Sequence, residues 1–210
     1  KNVKLYELGN IYLPKALPLT ELPDERMQFT LGFYGDGDFF TLKGVLEEFF
    51  DCVGMHKKAE YDPNAGKPFF HPGRQANVIY DGTVIGYLGE VHPEVLDNYS
   101  IGTRAYIAVL DIPAILPFTT FDRKYQGIAK FPAVSRDISM VVPKNILVGQ
   151  IEHVIEQRGG KILESYSLFD IYEGAQIKPG FKSVAYSITF RAKDKTLEES
   201  DILAAMKKIL

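Results

Sequence analysis

Apolar and polar residues alternate with period two through much of the first half of the chain, the signature of half-buried strands. The runs VKLYELGNIYL, RMQFTLGFYG, ANVIYDG, TVIGYLGEV and RAYIAVLDI predict strands, separated by loops rich in Pro, Gly, Asn and Asp. Asp81-Gly82 stands between two of these runs and is the pair a type I′ hairpin turn favours. One stretch keeps a different period. In TLKGVLEEFFDCVG, Leu42, Val45, Leu46, Phe49, Phe50 and Val53 recur at helical spacing, and Gly54 suits the position just past a helix end. Cys52, between Phe49 and Val53, reads as a small core or half-buried residue of that helix. A helix laid across a mainly antiparallel sheet is an α+β arrangement.

Between Asp111 and Phe131 the periodicity dissolves into IPAILPFTTFDRKYQGIAK, and the domain boundary is expected at 117–130. The organisation is therefore a first domain over 1–120, a linker over 121–130 and a second domain over 131–210. In the second domain RDISMVV predicts a strand. VGQIEHVIEQRGG predicts a helix with the face Val148, Ile151, Val154 and Ile155, ended by Gly159-Gly160. ILESYSLFDIY and SVAYSITFRA are strands around the loop EGAQIKPGFK. TLEESDILAAMKKIL is a helix in which Thr196 and Glu199 read as a capping box. The order β-α-β-β-α lacks one strand of a ferredoxin-like fold. The expectation is that the chain is cut from something longer at this end, and also at the other, where it opens directly in a strand.

Alternation separates the two faces of this second sheet. Val184, Tyr186, Ile188 and Phe190 form an apolar row for the helices to cover, and Ile138, Met140 and Val142 do the same in RDISMVV. In the long strand Phe169 and Ile171 are expected in the core, which sends Tyr166, Leu168, Asp170 and Tyr172 outside. The uncovered face would then carry Tyr166, Asp170, Tyr172, Ser183, Ser187, Thr189 and Arg191. Rings among small hydrogen-bonding groups and a cation suit the stacking and reading of single-stranded bases. A solvated face whose tyrosines are merely good strand formers has the same composition, so pattern alone leaves both readings open.

With 46% hydrophobic and 24% charged residues, the composition is that of a soluble globular protein. No apolar run approaches the roughly 18–20 residues needed to span a bilayer, and KNVKLYELGN has no signal-peptide character, so the cytoplasm is the default location and no membrane partner is expected. The single cysteine allows neither an internal disulfide nor a zinc cluster. The net charge of −3 is unevenly spread: residues 1–123 carry 11 Lys+Arg against 17 Asp+Glu, and residues 124–210 carry 13 against 10. The second part is the better match for a polyanion. FFHPGR and GEVHPE each hold a His-Pro pair, His71 and His92, near Glu90 and Glu94, but two histidines in separate loops without short fixed spacing argue for turn geometry, and no metal site is expected.

The segments FPAVSRDISMVV, GGKILESYSLFDIYEG, KSVAYSITFR and TLEESDI resemble, in order and spacing, the ferredoxin-like anticodon-binding domain at the C-terminus of the bacterial phenylalanyl-tRNA synthetase beta-subunit family. KLYELGNIYLP, FFHPGRQA, IGYLGEVHPEVLDNY and AYIAVLDI are similar to the catalytic-like class II module that precedes it. The resemblance implies a heterotetramer in which the alpha subunit, with ATP and Mg, makes phenylalanyl-adenylate and charges tRNA(Phe). The beta module is then a scaffold, and this fragment holds no catalytic residue and no cofactor. In keeping with that, the chain lacks the Arg-x-Glu setting and the second arginine that a class II ATP site needs. The family's editing site lies in a different domain.

In that family the Phe-Asp-x-Tyr segment and the serine after the next strand's lysine face the anticodon. The resemblance carries this to Asp170 and Tyr172 in FDIY and to Ser183 in KSVAY. Tyr172 would stack on a base, Asp170 would accept hydrogen bonds from a base edge and Ser183 would bond nearby, with Tyr166 and Arg191 sharing their face. Arg74 is a candidate for a subunit or tRNA-backbone contact, a surface salt bridge being the plainer alternative. The implied partners are the alpha subunit and tRNA(Phe), with no DNA. Two alternatives stay open: a fragment of a single-chain organellar-type synthetase, against which the absent arginines count, and a ferredoxin-like regulatory domain gripping a small ligand in a closed pocket.

Overall fold

The computed structural model describes residues 2–122, 125 and 127–210. Residues 123, 124 and 126 of the expected linker lie outside the described residues. The chain divides into two compact units, Lys1–Lys124 and Tyr125–Leu210. Among the described residues no helix is long and apolar enough to cross a membrane.

The first unit is α+β. Its strands are β1 (Val3–Leu13), β2 (Asp24–Tyr34), β3 (Glu60–Asp62), β4 (Phe70–Tyr80), β5 (Thr83–Val91) and β6 (Ala105–Asp111). They form one antiparallel sheet in the order β1-β2-β6-β5-β4-β3. Helix α1 (Phe39–Cys52) starts where the Asp38 carboxylate accepts from the Thr41 amide at 2.8 Å while the Thr41 hydroxyl accepts from the Asp38 amide at 3.2 Å. It buries Leu42, Leu46 and Phe50 against Leu31, Phe33, Val78, Ile85, Leu88 and Leu110 of the sheet. Val45 falls outside the buried stripe and is exposed, as is Cys52, which corrects the expectation of a half-buried cysteine. Gly54 follows with φ +80°. A Cβ there would stand 1.8 Å from the Thr120 carbonyl oxygen, so this close approach admits only glycine. Asp81 and Gly82 both have positive φ, 50° and 77°, as a type I′ turn requires. The short β3, α2 (Pro93–Asn98) and α3 (Ile112–Ile115) are additions to the sequence reading, because none runs long enough to establish a period.

The second unit follows the predicted order: β7 (Val134–Pro143), α4 (Val148–Gly159), β8 (Leu163–Tyr172), β9 (Phe181–Phe190) and α5 (Glu199–Ile209). Its antiparallel sheet has the order β7-β9-β8. Val184, Tyr186, Ile188 and Phe190 of the central strand are fully buried under Ile151 and Ile155 of α4 and Ile202, Ala205 and Ile209 of α5. Val154 lies outside that contact and is exposed. Helix α5 begins three residues later than Thr196. The Asp201 carboxylate accepts from the Glu198 amide at 3.1 Å and pairs with Lys195 Nζ at 2.7 Å, and this replaces the expected Thr196–Glu199 box. Those bonds hold the Asp201 carboxyl below its ordinary pKa.

Strand β8 departs from simple alternation. Tyr166 pairs with Ile188 and Leu168 with Tyr186, so both belong to the helix-covered side. The register then shifts: Asp170 pairs with Ala185, Ile171 with Val184 and Tyr172 with Ser183. Phe169 is the extra residue of a β-bulge, which reverses the phase of everything beyond it. This corrects the expectation for Tyr166 and Leu168, which pack on the core, and for Phe169 and Ile171, expected in the core but 58% and 46% exposed.

Candidate nucleic-acid interface

Both helices of the second unit pack on the apolar row of its sheet. The register sets Ser135, Asp137, Ser139 and Val141 of β7 beside Thr189, Ser187, Ala185 and Ser183 of β9 on the opposite face. Ser165, Ser167, Asp170 and Tyr172 of β8 flank them on the other side. Hydroxyls pair across the strands, Ser135 Oγ with Thr189 Oγ1 and Ser139 Oγ with Ser183 Oγ, both at 3.1 Å. These short side chains keep the face low, and Tyr172, 43% exposed, is the ring that stands on it. The Asp170 carboxylate is exposed and makes no hydrogen bond or ion pair among the described residues, so its oxygens are available as acceptors.

The bulge thus brings Asp170, Tyr172 and Ser183 together, Tyr172 and Ser183 as directly paired residues. Tyr166 is not among them. Its hydroxyl donates to the Glu156 carboxylate on α4, and its ring meets Tyr186 edge-on at 6.3 Å. Burial and the neighbouring carboxylates push its phenol well above the ordinary tyrosine pKa. Arg191 is engaged at the far end: Nε donates to Glu164 Oε1 at 2.8 Å and a terminal nitrogen to the Phe131 carbonyl at 2.5 Å. Phe169 was missed as a surface residue, because nothing in an apolar-polar pattern marks a bulge that contains no glycine.

The turn after β8 closes the Tyr172 end of this face. The Ile177 amide donates to the Gly174 carbonyl at 2.9 Å, the Lys144 amide to the Gly180 carbonyl at 2.9 Å, and Lys144 Nζ pairs with Glu173 at 2.6 Å.

In the first unit Arg74 donates to both oxygens of Glu90, at 2.8 and 2.9 Å, and Arg104 Nε lies 3.7 Å from the same carboxylate. Glu90 is 5% exposed, so this is a buried charge with its compensation in place. His71 Nδ1 accepts from the Gly73 amide at 3.1 Å, and His92 Nδ1 accepts from the Glu94 amide at 3.3 Å at the start of α2. Each histidine uses a ring nitrogen to shape its own turn. Among the described residues no group of three or more His, Cys, Asp or Glu side chains is gathered as a metal would need.

Two family models match the chain. The phenylalanyl tRNA synthetase beta chain CLM domain matches residues 1–112, and the ferredoxin-fold anticodon binding domain matches residues 129–210. The phenylalanine–tRNA ligase beta subunit of Clostridium acetobutylicum is 44% identical over 207 residues, 99% of this chain and 26% of that protein. The beta subunit of Clostridium tetani is 41% identical over 207 residues, 99% of this chain and 26% of that protein, and that of Bacillus subtilis is 35% identical over 219 residues, 100% and 27%. The chain spans about a quarter of the length of the curated relatives it matches. The matched regions cover both units, and the second takes in the whole face built by β7, β8 and β9, so this chain belongs to the phenylalanyl-tRNA synthetase beta chain family.

Proposed function

We propose that this chain is the part of a phenylalanine–tRNA ligase beta subunit that reads the tRNA(Phe) anticodon through its second unit and braces the alpha subunit through its first. The observation that carries the reading is the grouping of a half-exposed ring, an unengaged carboxylate and a hydroxyl, Tyr172, Asp170 and Ser183, on a sheet face that the helices leave bare. Tyr172 stacks on an anticodon base, Asp170 accepts from a base edge, and Ser183 bonds alongside. Such a face suits a single-stranded loop, whose bases are splayed and whose edges are unpaired. It does not suit duplex DNA.

The first unit, in this reading, is a class II synthetase-like module without chemistry of its own. The absence of both ATP-binding arginines from the sequence supports that. Adenylation, with ATP and Mg²⁺, belongs to the alpha subunit of a cytoplasmic heterotetramer. Arg191 and Tyr166 are then supports of the reading face: one ties β8 to the segment before β7, and the other ties β8 to α4.

Titrating the holoenzyme with a labelled anticodon stem-loop of tRNA(Phe) tests this. Tyr172→Ala should weaken binding by the stacking contribution of roughly 1–3 kcal/mol, tenfold lying toward the lower end of that range, and a stem-loop altered only in the anticodon should bind the unmodified enzyme comparably poorly. Equal affinity for both stem-loops would remove the assignment.

A further inference from the structure

Gly174 is not explained by its backbone, because its φ lies outside the left-handed region and an alanine could adopt it. The space around it gives the reason. A Cβ on Gly174 would stand 2.0 Å from the Tyr172 hydroxyl oxygen, 2.2 Å from Cζ and 2.8 Å from Cε1. The three nearest atoms all belong to this one ring. Tyr172 therefore lies with its phenol end against the bare Cα of the residue two positions on. That Cα cannot easily yield, since the turn is held by the Ile177–Gly174 and Lys144–Gly180 backbone bonds and by the Lys144–Glu173 ion pair.

We infer that Gly174 is a positioning residue for RNA reading: it seats the Tyr172 ring so that the ring presents a stacking plane while its hydroxyl is kept against the turn, away from the bases. This rests on the anticodon-reading function proposed above and divides the labour within it. Tyr172 supplies stacking that is indifferent to base identity, since every base has a π-face. Discrimination falls to Asp170 and Ser183, whose acceptors and donor address base edges. A ring already held in one orientation also loses less freedom when RNA arrives.

The test is a mutant cycle on the holoenzyme, read as affinity for the tRNA(Phe) anticodon stem-loop, with thermal unfolding as the control for damage to the fold. Gly174→Ala should cost about tenfold, close to Tyr172→Ala, with an unchanged unfolding midpoint. In the Tyr172→Ala background Gly174→Ala should cost nothing further, because residues acting through one ring are non-additive. Tyr172→Phe should stay within about twofold of the unmodified enzyme. If Gly174→Ala binds normally while Tyr172→Ala does not, the seat is refuted and the reading face stands. An additive loss in the double variant, or a tenfold loss in Tyr172→Phe, also overturns the inference. Normal binding by Tyr172→Ala sinks the face assignment and the seat together. Tyr172→Phe does not touch the glycine, so the orientation of the hydroxyl is tested even if Gly174→Ala unfolds the turn.

Discussion

Glu90 shows how much one residue can depend on another. Its carboxylate is buried, and Arg74 bonds both of its oxygens. Removing one member of a buried pair costs on the order of 3–5 kcal/mol, because the remaining charge is stranded. Arg74 is itself 43% exposed and Arg104 stands nearby, so Arg74→Ala should fall below that range, at about 2–3 kcal/mol in a denaturant melt. Adding Glu90→Gln to Arg74→Ala should recover part of the loss. The sequence left Arg74 between a contact with a partner and a salt bridge. Its real environment was hidden, because Glu90 lies 16 positions away and only the β4–β5 pairing brings the two together. Ser183 was legible by contrast, because the buried Val184, Tyr186 and Ile188 beside it fix the phase of β9; Asp170 and Tyr172 fall on the bare face although Phe169 and Ile171, from which their phase was counted, are exposed. Tyr166 was not legible, because counting by twos from Tyr172 crosses the bulge at Phe169 and arrives on the wrong side.

At the scale of elements, helix α4 and strands β8 and β9 enclose a pair of tyrosines among carboxylates. Burial, then the charge and hydrogen bond of Glu152, push the phenol of fully buried Tyr186 well above the pKa of about 10 it has in an unfolded chain. Above that pH the unfolded state gives up a proton that the folded state keeps. The contribution to stability is thus complete below about pH 10 and declines as pH rises toward the folded value, by roughly 1.4 kcal/mol per unit. Urea unfolding between pH 8 and pH 11 should show a steep alkaline loss that Tyr186→Phe makes shallower. An identical slope in both proteins would show that Tyr186 does not control it. The elements themselves were read well wherever a stripe ran for several turns, as in α1 and α4, or wherever a turn pair was diagnostic, as at Asp81-Gly82. Where a helix start depends on a side chain reaching backward, as Asp201 does to Glu198, several residue choices satisfy the same rule, and α5 begins later than Thr196 allowed.

Across the whole molecule each unit owns a separate apolar core, and the charge is segregated, 11 Lys+Arg against 17 Asp+Glu in residues 1–123 and 13 against 10 in residues 124–210. A surplus this small cannot neutralise many phosphates. Single-strand binding loses about 0.7 in log affinity per log of salt for each phosphate neutralised, so the stem-loop should show a slope of about −1 to −2 between 50 and 200 mM salt. A slope steeper than about −4 would mean that phosphate contacts dominate over stacking. The alternation of β9 has a further consequence. Ser183, Ala185, Ser187 and Thr189 sit between the core residues Val184, Tyr186, Ile188 and Phe190, which hold the strand in place, whereas Asp170 and Tyr172 stand beside Phe169 and Ile171, which are themselves exposed. Along β9 the vocabulary of the proposed reading face can be rewritten one letter at a time while the interior stays as it is, so that a change in what such a face binds need not pass through an unfolded ancestor.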